Sequence, residues 1–468
     1  MSDHDATPYD YDLAVIGGGS GGYAAARTAV AEGLKTVVIE GGDEVGGLCI
    51  LRGCMPTKAL LYASEVAHLA RQASTWGVEI PEVRIDLAKA MARKDEMIRE
   101  FADYRREQLT DGRFQFIRDT ASFEDAHTLR LAGGDRLTAR HFVISTGSRI
   151  SPSPILDLDA VDCLTSDAAL KLTQLPESII VLGGGPIALE FAQFFARFGV
   201  KTTVIQRSPQ LLKTFDADAA QALTEALEHE GIRVLAGTRL LSASRTNAGK
   251  TVRFAHEGRE IEISAEEIFN GLGRSPNTGT LNLEGIGVEL ESSGHIKTSP
   301  EMRTTAPHIY AAGDCAGPHE VVHIAIQQGE IAAHNIARPD RPKTIDYRVI
   351  SSIVFTDPQA AQVGLTEREA TSRGIPFLAD SYPFDDHGKS LIMEARHGFV
   401  KLIAHKETGE ILGGACVGPM GGDLLHEIIV AMQARMTVRQ LAETPHYHPT
   451  LAEIWTYPAE ELADQIPL

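Results

Sequence analysis

Residues 11–40 read YDLAVIGGGSGGYAAARTAVAEGLKTVVIE, and residues 177–206 read ESIIVLGGGPIALEFAQFFARFGVKTTVIQ. The two segments align without a gap at a constant offset of 166 residues. Each contains a short apolar strand, a glycine-rich turn, a helix with small residues on its packing side and a second β-branched strand. This order predicts a βαβ unit in each segment, and therefore an α/β chain built around two such units.

Both segments carry the G-x-G-x-x-G/A fingerprint of dinucleotide-binding turns. Its positions are Gly17, Gly19 and Gly22 in the first copy and Gly183, Gly185 and Ala188 in the second. The first position makes the tight turn, the second lets the backbone approach a pyrophosphate, and the third permits close packing of helix on strand. The helix then presents unpaired N–H groups to the phosphates. A single match is weak, but two matches in register predict two bound nucleotides with electron transfer between them.

The end of the second strand differs between the two copies. Glu40 ends it in the first copy, where an acidic side chain accepts hydrogen bonds from ribose hydroxyls. Gln206 followed by Arg207 occupies this place in the second copy. The missing acid and the nearby arginine favour a 2′-phosphorylated ribose slightly, whereas a solvated surface position for Arg207 fits the sequence equally well.

The composition describes an ordinary globular protein. The 468 residues have a net charge of −19 and are 43% hydrophobic, which excludes a fibrous or disordered chain and argues against nucleic acid or an anionic membrane as partner. Five cysteines are too few for a disulfide-stapled scaffold. The start, MSDHDATPYDYD, lacks the features of a signal peptide, and no apolar stretch reaches membrane-spanning length. We therefore expect a cytoplasmic protein of several domains.

Two cysteines lie in the segment GGLCILRGCMPTKALLYASEVA (46–67). In a regular helix, Cys49 and Cys54 would be rotated by about 140° from each other and separated by about 7.5 Å along the axis. A disulfide needs Cβ atoms about 3.5–4.5 Å apart, so the pair can close only where the chain is irregular, and Gly53 and Pro56 offer that irregularity. Two unrelated buried cysteines are the alternative, but a position just after a dinucleotide unit favours a redox pair.

This segment resembles the redox-active segment of the pyridine nucleotide–disulfide oxidoreductases, a family of FAD enzymes. Four further segments are similar to motifs of that family. They are STGS (145–148), GLGRSPNT (271–278), TTAPHIYAAGDCAG (304–317) and HPTLAE (448–453). The resemblance covers nearly the whole chain. It implies two Rossmann-like domains, for FAD and NAD(P), followed by a C-terminal α+β dimerisation domain.

The implied domain order is an FAD-binding part over 1–151, an NAD(P)-binding domain over 152–276, a second FAD-binding part over 277–345 and a dimerisation domain over 346–468. The resemblance assigns two sets of cofactor-binding residues. Those for FAD are Gly17, Gly19, Gly22, Glu40, Lys58, Thr146, Gly147 and Asp314, and those for NAD(P) are Gly183, Gly185, Ala188, Glu190, Gln206, Arg207 and Gly273. The nucleotide expected at the second site is NAD(P)H, with a slight preference for NADPH. No metal site is predicted.

Carried over by position, the resemblance makes Cys49 the thiol that attacks the substrate and Cys54 the thiol that contacts the flavin. His448 becomes the acid–base group and Glu453 the carboxylate that orients it, which agrees with the need of a thiolate nucleophile for a neighbouring proton carrier. In the family this histidine reaches the disulfide of the other subunit, so a homodimer with a shared active site is implied. Lys58 matches a lysine near the flavin and Glu190 its ion-pair partner; the alternative for both is an ordinary surface charge.

The substrate class is less strongly indicated than the family. PHYHPTLAE (445–453) resembles the form found in the dihydrolipoamide dehydrogenases, which favours a small disulfide or dithiol substrate. A metal-ion reductase of the mercuric type is the main alternative, although no cysteine follows Cys416 in this sequence. Reduction of another small disulfide, and a structural flavoprotein whose thiol pair is idle, are further alternatives.

Overall fold

The computed structural model describes residues 9–247 and 249–467. These residues form two compact units, and the chain passes between the units after Pro56, Met91, Pro152, Leu272 and Asp346. Unit 1 contains the described residues through Pro56, Ala92–Pro152 and Gly273–Asp346, and unit 2 contains Thr57–Met91, Ser153–Leu272 and the described residues from Tyr347 onward. The division into four segments expected from the sequence stays a prediction.

The elements are numbered in chain order. The strands are β1 (Tyr11–Ile16), β2 (Thr36–Ile39), β3 (Gln115–Ile117), β4 (Ala121–Phe123), β5 (Thr128–Leu131), β6 (Arg136–Ile144), β7 (Ser148–Ile150), β8 (Ser178–Leu182), β9 (Lys201–Ile205), β10 (Arg233–Leu235), β11 (Arg239–Thr246), β12 (Gly249–His256), β13 (Arg259–Ala265), β14 (Glu267–Asn270), β15 (Arg274–Pro276), β16 (Ile309–Ala311), β17 (Ser351–Val354), β18 (Gln359–Gly364), β19 (Phe377–Pro383), β20 (Phe399–His405) and β21 (Ile411–Gly418). The α-helices are α1 (Ser20–Ala31), α2 (Gly47–Leu51), α3 (Cys54–Gln72), α4 (Leu87–Thr110), α5 (Leu156–Ala160), α6 (Ser166–Ala169), α7 (Pro186–Arg197), α8 (Ala217–His229), α9 (Val322–Ala337), α10 (Glu367–Ser372), α11 (Gly388–Ile392), α12 (Gly421–Gln433), α13 (Val438–Ala442) and α14 (Thr456–Gln465).

Unit 1 is built on a mixed sheet in the order β3-β2-β1-β6-β5-β4, with β16 also paired to β6. The strands β1, β2, β3, β6 and β16 are parallel where they pair, whereas β4 and β5 are antiparallel. Helices cover parallel sheets on both faces, which explains why β2 is a run of buried β-branched residues. Helix α9 packs closely on α1, because a Cβ on Gly329 would lie 2.2 Å from the carbonyl oxygen of Gly21.

Unit 2 holds the second parallel sheet, in the order β10-β9-β8-β14, beside the antiparallel sheet β11-β12-β13. Helix α7 buries Phe191, Phe194 and Phe195 against the parallel sheet. The C-terminal part forms an antiparallel sheet in the order β17-β18-β21-β20-β19. Helices α12 and α14 pack on this sheet around the fully buried Trp455. The predicted α/β class is therefore confirmed, with a C-terminal α+β part.

The internal repeat is preserved in three dimensions. Helices α1 and α7 keep the offset of 166 residues at both ends, and so do the last residues of β1 and β8 and of β2 and β9. Gly17 N–H donates to the Ile39 carbonyl at 2.8 Å, and Gly183 N–H donates to the Ile205 carbonyl at 2.9 Å. Both copies thus enter the glycine turn through the same backbone hydrogen bond, which confirms the two predicted βαβ units.

Among the residues that the structure describes, no helix is long and apolar enough to cross a membrane. Residues 1–8, which belong to the N-terminal segment without signal-peptide features, lie outside the described residues. The cytoplasmic location stays a prediction.

A cluster of histidines lies at the edge of the unit 1 core. The rings of His127 and His308 stack with centroids 4.3 Å apart, and each ring bonds a backbone carbonyl. His141 on β6 has a buried Nδ1 with no hydrogen-bond partner in the described residues. Burial, helped by the nearby His308 and Arg140, lowers the pKa of His141 from 6.5 to about 4. This imidazole is therefore neutral in the folded protein at neutral pH.

We expect His141 to make the protein less stable in mild acid. Between pH 6.5 and 4 the unfolded chain binds a proton at this ring that the folded chain does not, so stability falls as the pH falls. After allowance for partial solvent screening, the loss between pH 7 and 5 is about 1–2 kcal/mol. Thermal unfolding of His141→Leu should show a smaller decrease in melting temperature over this range than wild type. The exposed His229→Gln variant is the control, and equal slopes for all three proteins would contradict this assignment.

Candidate active site

The first glycine turn is sterically demanding at two of its three fingerprint positions. Gly17 has a φ of +105°, and a Cβ there would lie 2.2 Å from the carbonyl oxygen of Ser145. A Cβ on Gly22 would lie 1.9 Å from the carbonyl oxygen of Gly17. Gly19 is different, because the nearest atom to its added Cβ is Gly47 Cα at 3.8 Å. The fold therefore requires Gly17 and Gly22, whereas the lack of a side chain at Gly19 fits the close approach of a ligand.

The carboxylate of Glu40 is held at the end of β2 by backbone amides. Gly18 N–H donates to Oε2 and Gly42 N–H donates to Oε1, each at 2.7 Å. This places an ionisable acceptor beside the glycine turn and the N-terminus of α1, as a ribose contact requires. The residues of this turn therefore fit a dinucleotide such as FAD.

Three of the other sequence motifs meet in unit 1. The Thr146 hydroxyl donates to the Asn277 carbonyl at 2.7 Å, and Asn277 N–H donates to the Gly147 carbonyl at 2.9 Å. The Ser148 hydroxyl donates to Asp314 Oδ2 at 2.6 Å. The structure thus brings STGS, GRSPNT and the Asp314 motif together, although STGS is separated from the other two by more than a hundred residues in sequence.

The second glycine turn repeats the geometry of the first. Gly183 has a φ of +113°, and a Cβ there would lie 2.3 Å from the carbonyl oxygen of Gly271. A Cβ on Gly185 would meet no atom within 4 Å, whereas Ala188 packs closely on Gly271, where an added Cβ would lie 2.8 Å from that of Ala188. Gly273, which lies in unit 1, has a φ of +115° and open space around its Cβ position. The second βαβ unit therefore also fits a dinucleotide.

Gln206 and Arg207 lie at the end of β9. The Gln206 side-chain oxygen accepts a hydrogen bond from Arg207 N–H at 3.1 Å, which turns its amide towards its own backbone. The side chain of Gln206 is half-buried and packs near Gly184, and Arg207 is exposed.

The chain is irregular between the two cysteines. Helix α2, which contains Cys49, ends at Leu51, and α3 begins at Cys54. A Cβ on Gly53 would lie 2.9 Å from the Leu48 carbonyl oxygen, so the break needs a glycine. Pro56 lies in the first turn of α3, where proline is tolerated and does not interrupt the helix. Of the two residues expected to cause the irregularity, Gly53 alone does so. Cys49 is half-buried and Cys54 is exposed.

Lys58 and Glu190 form an ion pair inside unit 2. Lys58 Nζ donates to both carboxylate oxygens of Glu190, at 2.8 and 2.7 Å, and lies 4.6 Å from the centre of the Phe355 ring. Phe355 N–H donates to the same carboxylate at 3.0 Å. Glu190 is only 2% exposed, so it is not an ordinary surface charge. The pairing of these two residues agrees with the sequence expectation.

His448 and Glu453 form the second expected pair. His448 Nδ1 lies 2.8 Å from Glu453 Oε2. The imidazole side chain is 77% exposed, whereas the carboxylate is 12% exposed, so an almost buried carboxylate holds a ring that lies at the surface. The neighbouring His446 has a buried side chain, and its Nε2 lies 2.6 Å from Glu427 Oε1.

A second histidine faces the carboxylate of Glu453 and was not identified from the sequence. His387 Nε2 lies 3.4 Å from Glu453 Oε1, and His387 is fully buried. The segment PFDDHGKSL around it carries no pattern that predicts chemistry. The two residues are also far apart in the chain, so local spacing offers no signal for this contact.

One cluster in the described residues has the spacing of a metal site. Ligand atoms of His68, Glu230 and Asp357 lie within 4.8 Å of one another. The guanidinium of Arg197 already bonds both carboxylates, at 2.6 Å for Glu230 and 2.7 Å for Asp357. This arrangement neutralises the acids with an arginine, which makes the cluster an ion-pair network of unit 2.

Comparison with known proteins agrees with this geometry. Residues 11–329 match the family model described as pyridine nucleotide-disulphide oxidoreductase, and residues 350–459 match the dimerisation domain of the same family. The chain is 34% identical to dihydrolipoyl dehydrogenase from Geobacillus stearothermophilus over 449 residues, covering 95% of both chains. It is also 34% identical to a mercuric reductase from Bacillus cereus, covering 97% of this chain and 72% of that protein.

The fold agrees with a solved structure of the same kind. LpdA from Mycobacterium tuberculosis superposes with a TM-score of 0.85 at 30% identity, covering 96% of this chain and 99% of that one. The family match extends over the glycine turns, the cysteine segment and the His448 motif alike. The chain belongs to the pyridine nucleotide-disulphide oxidoreductase family, and it is an FAD-dependent disulfide oxidoreductase of that family.

Proposed function

We propose that the enzyme passes electrons between NAD(P)H and a small disulfide or dithiol of the dihydrolipoamide class, through Cys49 and Cys54. The observation that carries this proposal is the position of α2 against the first glycine turn. A Cβ on Gly47 would lie 2.8 Å from Gly19 Cα, so the helix that contains Cys49 begins in contact with the dinucleotide turn. The substrate class follows the dihydrolipoyl dehydrogenases among the relatives.

FAD is proposed to bind to the first glycine turn, Glu40, Lys58, the Thr146–Gly147 segment and Asp314. When bound, FAD accepts a hydride equivalent from the nicotinamide and exchanges two electrons with a disulfide. The amide-held carboxylate of Glu40 is preorganised to accept hydrogen bonds from ribose hydroxyls. Lys58, anchored on a buried carboxylate, is proposed to hold a fixed positive charge near the isoalloxazine ring.

The thiols and the imidazole are proposed to carry out the exchange with the substrate. In the direction of disulfide reduction, the Cys49 thiolate attacks one sulfur of the substrate and forms a mixed disulfide, and the released thiolate takes a proton from the partner subunit's His448. Cys54 then attacks Cys49, which releases the second substrate thiolate and closes the Cys49–Cys54 disulfide. A dithiol substrate follows the same steps in reverse. Glu453 fixes the imidazole tautomer and stabilises its protonated form.

The match to a dimerisation domain supports a homodimer. We propose that its active site is shared, with the thiol pair from one subunit and the histidine pair from the other. The high exposure of His448 supports this arrangement, because an exposed ring is accessible to the thiols of a second subunit.

We expect the two glycines of the first turn to respond differently to substitution. Gly22→Ala places a methyl group against a backbone carbonyl, so the protein should fold poorly whether FAD is present or not. Gly19→Ala has room for its methyl group in the protein itself, so the fold should be retained while FAD content decreases at least about tenfold, since a close backbone–pyrophosphate approach is lost. Circular dichroism and the ratio of flavin to protein absorbance measure both effects. Full FAD content in Gly19→Ala would contradict the assigned binding mode.

The central test is turnover of dihydrolipoamide with NAD⁺ or NADP⁺, followed as nicotinamide reduction. Cys54→Ser should retain FAD and lose thiol–disulfide turnover, because the electron path through the pair is cut. His448→Ala should lower the rate by about 10²–10⁴. Cys163→Ser, outside the cysteine segment, is the matched control and should retain wild-type activity.

Undiminished activity in Cys54→Ser would refute the thiol assignment. If the wild-type enzyme binds FAD but does not turn over dihydrolipoamide, the substrate class is wrong. Stimulation of NAD(P)H oxidation by Hg²⁺, lost in Cys49→Ser and in Cys54→Ser but kept in Cys163→Ser, would then identify a metal-ion reductase.

The nucleotide preference depends on Arg207. We propose a slight preference for NADPH, which Arg207 would bind through a charge-assisted hydrogen bond to the 2′-phosphate. Arg207→Ala should then lower kcat/KM for NADPH about tenfold or more and change that for NADH less than about twofold. Arg233→Ala, another exposed arginine of the same sheet, controls for the loss of one positive charge. Equal changes for both nucleotides would mean that Arg207 is a surface residue.

A further inference from the structure

We infer that His387 is a positioning residue that holds Glu453 and, through it, orients His448. This inference rests on the proposed function, because it concerns the acid–base pair of that site. A second imidazole and a serine then lie behind the carboxylate, and the four residues follow each other in the order Ser390–His387–Glu453–His448.

The geometry places one imidazole on each oxygen of the carboxylate. His448 Nδ1 lies 2.8 Å from Glu453 Oε2, and His387 Nε2 lies 3.4 Å from Glu453 Oε1. The other ring nitrogen of His387, Nδ1, lies 2.7 Å from the Ser390 hydroxyl. His387 and Ser390 are both fully buried, whereas His448 is open to solvent. The carboxylate thus joins a buried polar pair to an exposed reactive ring.

The donors and acceptors around His387 favour one tautomer of its ring. Burial lowers the pKa of His387, against the opposing effect of the Glu453 carboxylate, so the ring is neutral and carries one N–H. An ionised carboxylate can only accept, whereas the Ser390 hydroxyl can donate or accept. In the tautomer with a proton on Nε2, this N–H points towards Glu453 Oε1 across 3.4 Å, a contact too long to count as a hydrogen bond, and the serine hydroxyl donates to Nδ1. In the other tautomer, a ring lone pair would face a carboxylate lone pair.

The groups around His387 direct its ring towards Glu453. The titratable groups that face it are Glu453 from the turn Ala452–Trp455, Tyr457 from α14 and His448. The rings of Tyr457 and Phe384 both pack edge-on to the imidazole, with centroids 6.4 Å away. Replacement of the imidazole by an apolar ring would therefore leave Glu453 Oε1 without the nearby N–H of His387. An unsatisfied buried acceptor is costly, and the carboxylate would rotate or shift to recover a partner.

The consequence for the reaction follows from the exposure of His448. Its Nδ1 is bonded to Glu453, so the orientation of the ring depends on the orientation of the carboxylate. With an imidazole facing each of its oxygens, the Glu453 carboxylate stabilises the protonated ring of His448 in one position. We therefore expect loss of the His387 N–H to weaken the support that His448 gives to the thiolate of Cys49, without removing any group that touches substrate.

The experiment measures thiolate formation directly and needs no substrate. The FAD-loaded homodimer is reduced with NAD(P)H and alkylated with iodoacetamide across a range of pH, and the rate is followed on the peptide that contains Cys49. Only a thiolate reacts, so the pH of the half-maximal rate reports how well the imidazole supports it. His387→Phe should raise this pH by about 0.5–1 unit, whereas His387→Gln, which keeps an N–H donor near the Nε2 position, should leave it within about 0.2 unit of wild type.

A double-mutant cycle separates positioning from general damage. In a Glu453→Gln background, His387→Phe should add less than about 0.2 unit, because its effect passes through the carboxylate. Ser390→Ala removes one hydroxyl alone and should shift the profile in the same direction by a smaller amount, which keeps the test available if His387→Phe folds poorly. FAD content and melting temperature are measured for every variant.

The outcomes are distinguishable from those of the proposed function. His448→Ala is the reference: if it leaves the alkylation profile unchanged, the assignment of the acid–base pair itself fails. If His448→Ala shifts the profile but neither His387→Phe nor Ser390→Ala does, the positioning role of His387 is wrong. Equal shifts by His387→Phe in the wild-type and Glu453→Gln backgrounds, or a loss in His387→Gln as large as that in His387→Phe, would also overturn it.

Discussion

The architecture depends on one backbone contact that is made twice. In each copy, the carbonyl of the residue after a parallel strand approaches a glycine so closely that a side chain cannot fit, at Gly17 against Ser145 and at Gly183 against Gly271. This contact brings the strand ends together below the N-terminus of the following helix. The unpaired N–H groups of that helix are then presented at the carboxyl edge of the sheet, where an anionic nucleotide is stabilised. A duplicated steric constraint thus prepares two sites for two nucleotides.

The parts predictable from the sequence are those set by local geometry. Glycine spacing, strand and helix periodicity and the break at Gly53 depend on neighbours within a few residues, so the two βαβ units and the interruption between Cys49 and Cys54 could be foreseen. Pro56 shows the limit of such reasoning, because this proline lies in the first turn of the next helix and does not break it. Its effect depends on where the helix starts, which the glycine decides.

The parts that could not be predicted are contacts between distant segments. The buried Lys401 bonds Asp216, Asp218 and Glu367, and no spacing rule connects these positions. The contact between His387 and Glu453 is of the same kind, because it joins the start of a short helix to a turn near the C-terminus. Buried polar groups must find partners, but the partner is chosen by the tertiary fold.

The histidine pair shows how stability and reactivity are divided between the residues of one site. A group that exchanges protons with a substrate has to be accessible, yet an accessible side chain is poorly ordered. Here the exposed ring, His448, is bonded to a carboxylate that is itself almost buried, and the imidazole nitrogens of His448 and His387 lie 2.8 and 3.4 Å from its two oxygens. The carboxylate that orders this ring is therefore anchored in the C-terminal part, whereas the ring itself lies at the surface of that part.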